Sequence, residues 1–224
     1  MEASRKDKAS ANGADPKKSE VAREKILQAA KEVFSRQPYH AASLRAIAKQ
    51  GGFDHPLIRY YFPTKAALFT AVVERIVHEF GDAHLIWLQG LDTLSPSQGL
   101  GILVDRVLAY DRQYPHGTCI IMQNIAQVDR LDALPGYRLV PELFARIGSS
   151  FRKKVPLSAP EDEIDMFFSC LIAAFVNFLG APAAHARRMG MDPASTEYAQ
   201  WVRKAIMAQF VPWLGKLALP FSSY

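Results

Sequence analysis

Apolar residues recur along the chain every three to four positions. No stretch alternates convincingly with period two and no Asn-Gly hairpin signal occurs, so the pattern predicts helices and no sheet. From Ser19, Val21 or Ala22, Ile26, Ala29 or Ala30, Val33 and Phe34 mark one helical face, with Arg23, Glu24, Lys31 and Glu32 outside it. Pro38 ends that helix, and Tyr39 is expected to fold back as an anchor. Ser43 then offers an N-cap oxygen to a short helix whose apolar face is Leu44, Ile47 and Ala48. Gly51 and Gly52 stop it, because glycine reaches the left-handed conformation without steric cost. Asp54 restarts the chain as the next N-cap, with Pro56 tolerated in the first turn. This second short helix buries Leu57 or Ile58, Tyr61 and Phe62, and presents His55, Arg59 and Tyr60.

Pro63-Thr64 breaks the chain again. Thr64 caps a long helix that starts at Lys65 and runs through Leu68, Val72, Ile76 and Phe80 towards Trp87. A helix, a tight glycine turn and a short polar-tipped helix are the parts of a helix-turn-helix DNA reader. Lys65 in the first helical turn opposes the macrodipole, and becomes favourable where an anion such as a phosphate docks beside the free N–H groups.

Beyond residue 90 the helical segments continue. Ser95-Pro96 opens one with Leu103, Val104, Val107 and Tyr110, and a shorter one spans about Thr118 to Val128. Pro135-Gly136 precedes another with Leu139, Leu143, Phe144, Ile147 and Phe151. Pro160-Glu161-Asp162-Glu163 is an acidic, proline-led helix start. The stretch Met166 to Leu179 that follows is apolar around most of its circumference. It is shorter than a bilayer span, so it is expected to be buried on several sides. Asp192-Pro193 starts a last helix with Tyr198, Trp201, Val202, Ile206, Phe210 and Trp213, which Pro212 should kink or weaken. The expectation is an all-α chain of about nine helices with no internal repeat.

Composition changes this picture in two places. The net charge of +5 is not spread evenly: residues 1–80 carry 14 Lys/Arg against 9 Asp/Glu, whereas the remaining 144 residues carry 13 of each. The positive excess therefore lies with the helix-turn-helix and its leading arm, where it suits a polyanion. Residues 1–18 are rich in Ala, Ser, Lys and Asp and are expected to be disordered, with Lys17 and Lys18 within reach of phosphates. Cys119 and Cys170 make neither a disulfide scaffold nor a zinc site, and Cys170 reads as an inert buried residue. No apolar leader and no run of about 18 apolar residues is present, so a reducing, cytoplasmic compartment without a membrane span is the expectation.

Enzyme chemistry finds no foothold. The six histidines are scattered, with no HExxH, no nucleophile elbow and no phosphate-cradling glycine loop. His78 and His84, six apart, do not share a helical face, so no metal pair is expected, and no cofactor.

Residues from about Ile26 to Val77 closely resemble the DNA-binding domain of the TetR family of bacterial transcriptional regulators. The matching positions are Ile26-Leu27, Ala29-Ala30, Val33-Phe34, Ser43-Leu44-Arg45, Ile47-Ala48, Gly52-Phe53, Ile58, Tyr60-Tyr61-Phe62-Pro63-Thr64-Lys65 and Ala67-Leu68. The resemblance implies a disordered basic arm (1–18), a helix-turn-helix DNA-binding domain (19–66) and a helical effector-binding and dimerisation domain (67–224). It further implies a cytoplasmic homodimer, nucleoid-associated when bound to a pseudo-palindromic operator, that represses until a small molecule releases it. The dimer would form through the helices near 161–180 and 193–216. Three departures bear on the operator: Gln37-Pro38 where glycine often follows the first helix, Ala42 where threonine is common, and Asp54 in place of serine.

On this reading Ser43, Tyr60 and Lys65 touch phosphates, with Arg45 a further backbone contact, while His55, Pro56 and Arg59 lie where base edges are read. Trp87, Tyr110, Tyr114, Cys119, Met122, Gln123, Phe144, Phe168 and Asn177 are candidates to line a cavity for a mainly apolar or aromatic effector. The rival reading is a helical sensor that acts through protein contacts without DNA, against which the basic residues at 45, 59 and 65 speak.

Overall fold

The computed structural model describes residues 16–125, 133–155 and 157–218, and among them every regular element is a helix. They run α1 (Pro16–Arg36), α2 (Leu44–Gly51), α3 (His55–Tyr61), α4 (Lys65–Trp87), a 3-10 turn (Leu91–Thr93), α5 (Pro96–Gln113), α6 (His116–Ile125), α7 (Leu139–Lys154), α8 (Glu161–Gly180), α9 (Pro182–Met189) and α10 (Thr196–Ala218). The helix beyond the expected set is α9. Pro182 in its first turn and Gly190 at φ 69° beyond its end frame it, a short pattern that periodicity alone does not register. Lys17 and Lys18, expected in a disordered arm, lie in the first turn of α1; the rest of that expectation, on residues 1–15, lies outside the described residues, as do residues 126–128 of the expected 118–128 helix.

Caps explain most of the helix ends. The Ser43 hydroxyl accepts from Ala46 N–H at 3.1 Å and the Thr64 hydroxyl from Ala67 N–H at 3.0 Å. Gly52 leaves α2 in the left-handed region, φ 67°, with its N–H on the Ala48 carbonyl. The last helix starts at Thr196 and not at Pro193, because Asp192 accepts from Ala194 N–H (2.9 Å) in a turn that sets Ser195 as the cap of Tyr198 N–H (3.1 Å). Pro212 sits inside α10 without ending it.

The interior divides into two apolar clusters. One gathers Ile26, Phe34, Ile47, Ile58, Phe69 and Ile76 from α1 to α4, and takes in Ile120 and Ile121 of α6 with Leu134 and Tyr137. The other packs Trp87, Leu103, Phe151, Phe167, Phe168 and Phe210 from α4, α5, α7, α8 and α10. Polar ties hold α1 to α4: Lys31 pairs with Glu79 at 2.8 Å, Arg75 grips Glu24 through two bonds of 2.9 and 2.7 Å, and Arg23 lies 5.1 Å over the Phe62 ring.

The sequence expectation for α8 needs correction. Its 20 residues are long and apolar enough, by length and composition, to cross a bilayer. Only one side meets the core, through Ile164, Phe167, Phe168, Leu171, Phe175 and Leu179. The other side leaves Met166, Ser169, Cys170, Ala173 and Asn177 exposed, so Cys170 is not the buried residue expected, and Asn177 is not enclosed among its aromatic neighbours.

Candidate nucleic-acid interface and effector cavity

The short helix α3 is fixed from behind. Ile58 is fully buried and Phe62 nearly so, so of the two candidates left open Ile58 is the anchor, while Leu57 is 37 % exposed. With that side fixed, Pro56, Arg59 and Tyr60 face solvent, Tyr60 at 75 %, and His55 is half-buried. Tyr61 is half-buried against Tyr60, ring centroids 5.0 Å apart. Asp54 occupies the N-cap position in extended backbone, yet its carboxylate makes no capping bond and stands exposed at the tip of α3. Beside this surface lie Ser43 and Arg45 at the exposed start of α2. The Ser43 oxygen accepts in the cap, which leaves its own O–H able to donate outward.

Lys65 behaves differently from the expectation. Its ammonium donates to the carbonyls of Tyr39 (2.8 Å), Ala42 (3.0 Å) and His40 (3.5 Å), and sits 4.5 Å from the centre of the Tyr39 ring. Its three donors meet three carbonyls of the α1–α2 turn, so Lys65 ties that turn to the start of α4. Leu57, absent from the sequence candidates, is an exposed apolar side chain on the same helix as Arg59; the only signal for it was the choice of Ile58 as anchor.

Helix α6 connects this unit to the rest of the molecule. Asn124, fully buried, accepts from Tyr39 N–H at 3.0 Å and donates to Ile120 C=O at 2.8 Å. Gln123 donates to the Ser35 carbonyl at the end of α1. Gln123 is therefore a tie to α1.

Two cavities lie on the opposite side of α6. The larger, about 610 Å³ and open to solvent, runs between α6, α7 and α8, and its wall includes Met122, Phe144, Phe168 and Asn177 from the expected set. The smaller, about 60 Å³, is enclosed, and Trp87, Phe144 and Phe168 are in its wall. Tyr110, Tyr114 and Cys119 line neither. Tyr110 packs instead against Phe80, Trp87 and Tyr114, its hydroxyl buried without a hydrogen-bond partner among the described residues and its pKa raised by that burial. Tyr114 is largely exposed. Burial lifts the Cys119 thiol to about 11, and its S–H points to the Leu179 carbonyl at 3.7 Å. Ser149 and Arg152 of α7 and Asp165 and Ser169 of α8 also line the larger cavity and were missed, because which edges of the two helices meet depends on their packing.

An all-helical chain with an N-terminal helix-turn-helix backed by a larger helical domain defines the class. Residues 26–72 match the family model described as "Bacterial regulatory proteins, tetR family". In that stretch, from α1 into the first part of α4, the chain is similar to the regulators of that family. The HTH-type transcriptional regulator RutR of Escherichia coli is 31 % identical over 97 residues, 42 % of each chain. The HTH-type transcriptional repressor NicS of Pseudomonas putida is 29 % identical over 116 residues, 51 % of this chain and 54 % of that one. The chain thus spans about half the length of the curated relatives it matches. The fold extends further. A TetR-family regulator from Agrobacterium tumefaciens superposes with a TM-score of 0.62 over 90 % of this chain and all of that one, at 16 % identity. One from Streptomyces coelicolor gives 0.57 over 89 % and 87 %, at 20 % identity.

Proposed function

We propose that the protein is a sequence-specific DNA-binding transcriptional regulator of the repressor type, cytoplasmic and dimeric, that docks on a pseudo-palindromic operator and is released by a small, mainly apolar effector. The observation that carries this reading is α3 itself: anchored by Ile58 and Phe62, it offers Pro56, Arg59 and Tyr60 outward from the part of the chain that holds all the net positive charge. The names of the similar regulator and repressor agree with it.

In this reading Ser43, Arg45 and Tyr60 contact phosphates and set the register. His55, Pro56 and Arg59 read base edges, with Leu57 suited to a thymine methyl and the uncapped Asp54 carboxylate to a cytosine amino group. Two α3 helices of a dimer would then meet successive major grooves, ~34–36 Å apart. The faces of α8 and α10 left uncovered, with Cys170 on one and Ala208 on the other, are the surfaces a second copy would cover.

Selection of genomic fragments by the purified protein, followed by anisotropy titration at several salt concentrations, tests the reading. A selected fragment should bind with steep salt dependence, and Arg59→Ala should lower discrimination against base changes at one position by ~1–3 kcal/mol. Enrichment of no sequence above background sinks the proposal.

A further inference from the structure

The two cavities share a wall. Phe144, Phe168, Ile172 and Val176 face the open cavity on one side and the enclosed one on the other. The Phe168 ring packs close against α7 at Gly148, where a Cβ would stand only 3.0 Å from Cδ1 and Cε1. A side chain there would push the ring away, so Gly148 is what lets Phe168 close the partition. Behind the partition the lining is aromatic and aliphatic apart from Thr118, whose hydroxyl is turned to Asp111, and no polar surface is exposed to the cavity. In front of it the lining changes character, to Ser149, Ser169 and Asn177 and one pair of charges, Arg152 and Asp165.

Those two charges are already joined, at 2.9 and 2.7 Å, so the cavity's one cation is committed to its one anion. A charged head group would lose hydration here and find no unpaired countercharge in the wall. A hydroxyl, amide or lactone would find donors and acceptors on Ser149, Ser169 and Asn177. The open volume of about 610 Å³ falls in the size range, ~300–1,000 Å³, of small-molecule sites.

From this we infer that the effector is an uncharged amphipathic molecule: its aromatic or aliphatic end displaces Phe168 and occupies the enclosed space, and its neutral polar end stays in the outer cavity near Asn177. The inference rests on the regulatory reading for its biological meaning, but its physical test is separate. Full-length protein is titrated calorimetrically with 3-phenylpropan-1-ol, 3-phenylpropanoate and 3-phenylpropylammonium, which share one apolar end and differ in head charge. The alcohol should bind at least tenfold tighter than either ion. Phe168→Trp, and Ile172→Trp as an independent second variant, should weaken the alcohol at least tenfold by filling the passage. Equal or tighter binding of an ion, saturable binding of none of the three, or alcohol affinity unchanged in both variants overturns it. Anisotropy on a selected DNA fragment, with the same preparation, separates the two readings. Protein that binds DNA but no probe refutes this inference alone, whereas protein that binds the alcohol but no DNA refutes the regulator.

Discussion

Lys65 shows how a side chain of one type can serve opposite purposes. A cation in a helix's first turn is ordinarily read as waiting for an anion, yet here its ammonium closes the α1–α2 turn on three carbonyls. Bonds from a charged donor contribute ~1.5–3 kcal/mol, so Lys65→Ala should lower stability by about 2 kcal/mol, a fall in Tm of ~4–8 °C by calorimetry. The slope of log affinity against log salt should stay unchanged at temperatures where the variant is folded; a shallower slope would return Lys65 to the phosphates. Asp111 makes a second residue-scale prediction. Burial raises its carboxyl to about 7, although a 3.0 Å bond from the Thr118 hydroxyl pulls the other way. The unfolded carboxyl releases its proton near ~4, so between about 4 and about 7 the folded chain holds the extra proton and stability falls as pH rises. Asp111→Asn removes this loss. Its Tm relative to the parent should rise between pH 5 and pH 8, and a constant difference would refute the assignment.

At the scale of elements, what the sequence made legible was local. The caps at Ser43 and Thr64, the glycine exit at Gly52 and the burial of Phe62 follow from interactions within a few residues, and each is found where the pattern put it, whereas the choice of Ile58 over Leu57 was left open. The family match on residues 26–72 covers this same region. Less legible was whatever depends on which helix lies against which. Apolar residues run nearly all round α8, so its sequence could not say that Met166, Cys170 and Ala173 face outward while Phe167, Leu171 and Phe175 face in. The neighbours of Tyr110 and Gln123 were hidden for the same reason, since they come from α4 and α1. Where α6 crosses α8 the contact has no slack: a Cβ at Gly180 would stand 2.4 Å from Met122 Cβ and 2.9 Å from the Thr118 carbonyl oxygen. Gly180→Ala should therefore force the two helices apart and cost ~1–3 kcal/mol in denaturant unfolding. A variant as stable as the parent would mean that the crossing is softer than drawn.

The whole molecule divides its labour by charge and by surface. Net positive charge stays with residues 1–80, and the larger helical part is balanced, so long-range attraction to DNA would act on the reader while the rest stays neutral to it. A partner copy on the α8 and α10 faces would set the spacing of two readers. Cys170→Glu with Ala208→Glu should give a monomer by light scattering, keep the helical circular dichroism, and weaken binding to a selected fragment by more than tenfold. A dimer that persists would move the interface elsewhere. Helix α6 finally has the mechanics of a lever. Its N-terminal end is clamped: Gly117 fits under Phe80, Thr118 and Met122 abut Gly180, and the Cys119 thiol rests on Leu179. Its far end carries Ile125 on the cavity side and Asn124 on the reader side. The free arm from Met122 to Asn124 is ~3 Å at 1.5 Å per residue, so a tilt of ~10° about the clamp carries Asn124 through ~0.5 Å. That travel stretches its 3.0 Å bond to Tyr39, the residue whose carbonyl also holds Lys65, to the edge of hydrogen-bond length. A wedge no larger than a benzene ring, placed at the tip of the arm, has the leverage to loosen the turn on which the reader hangs.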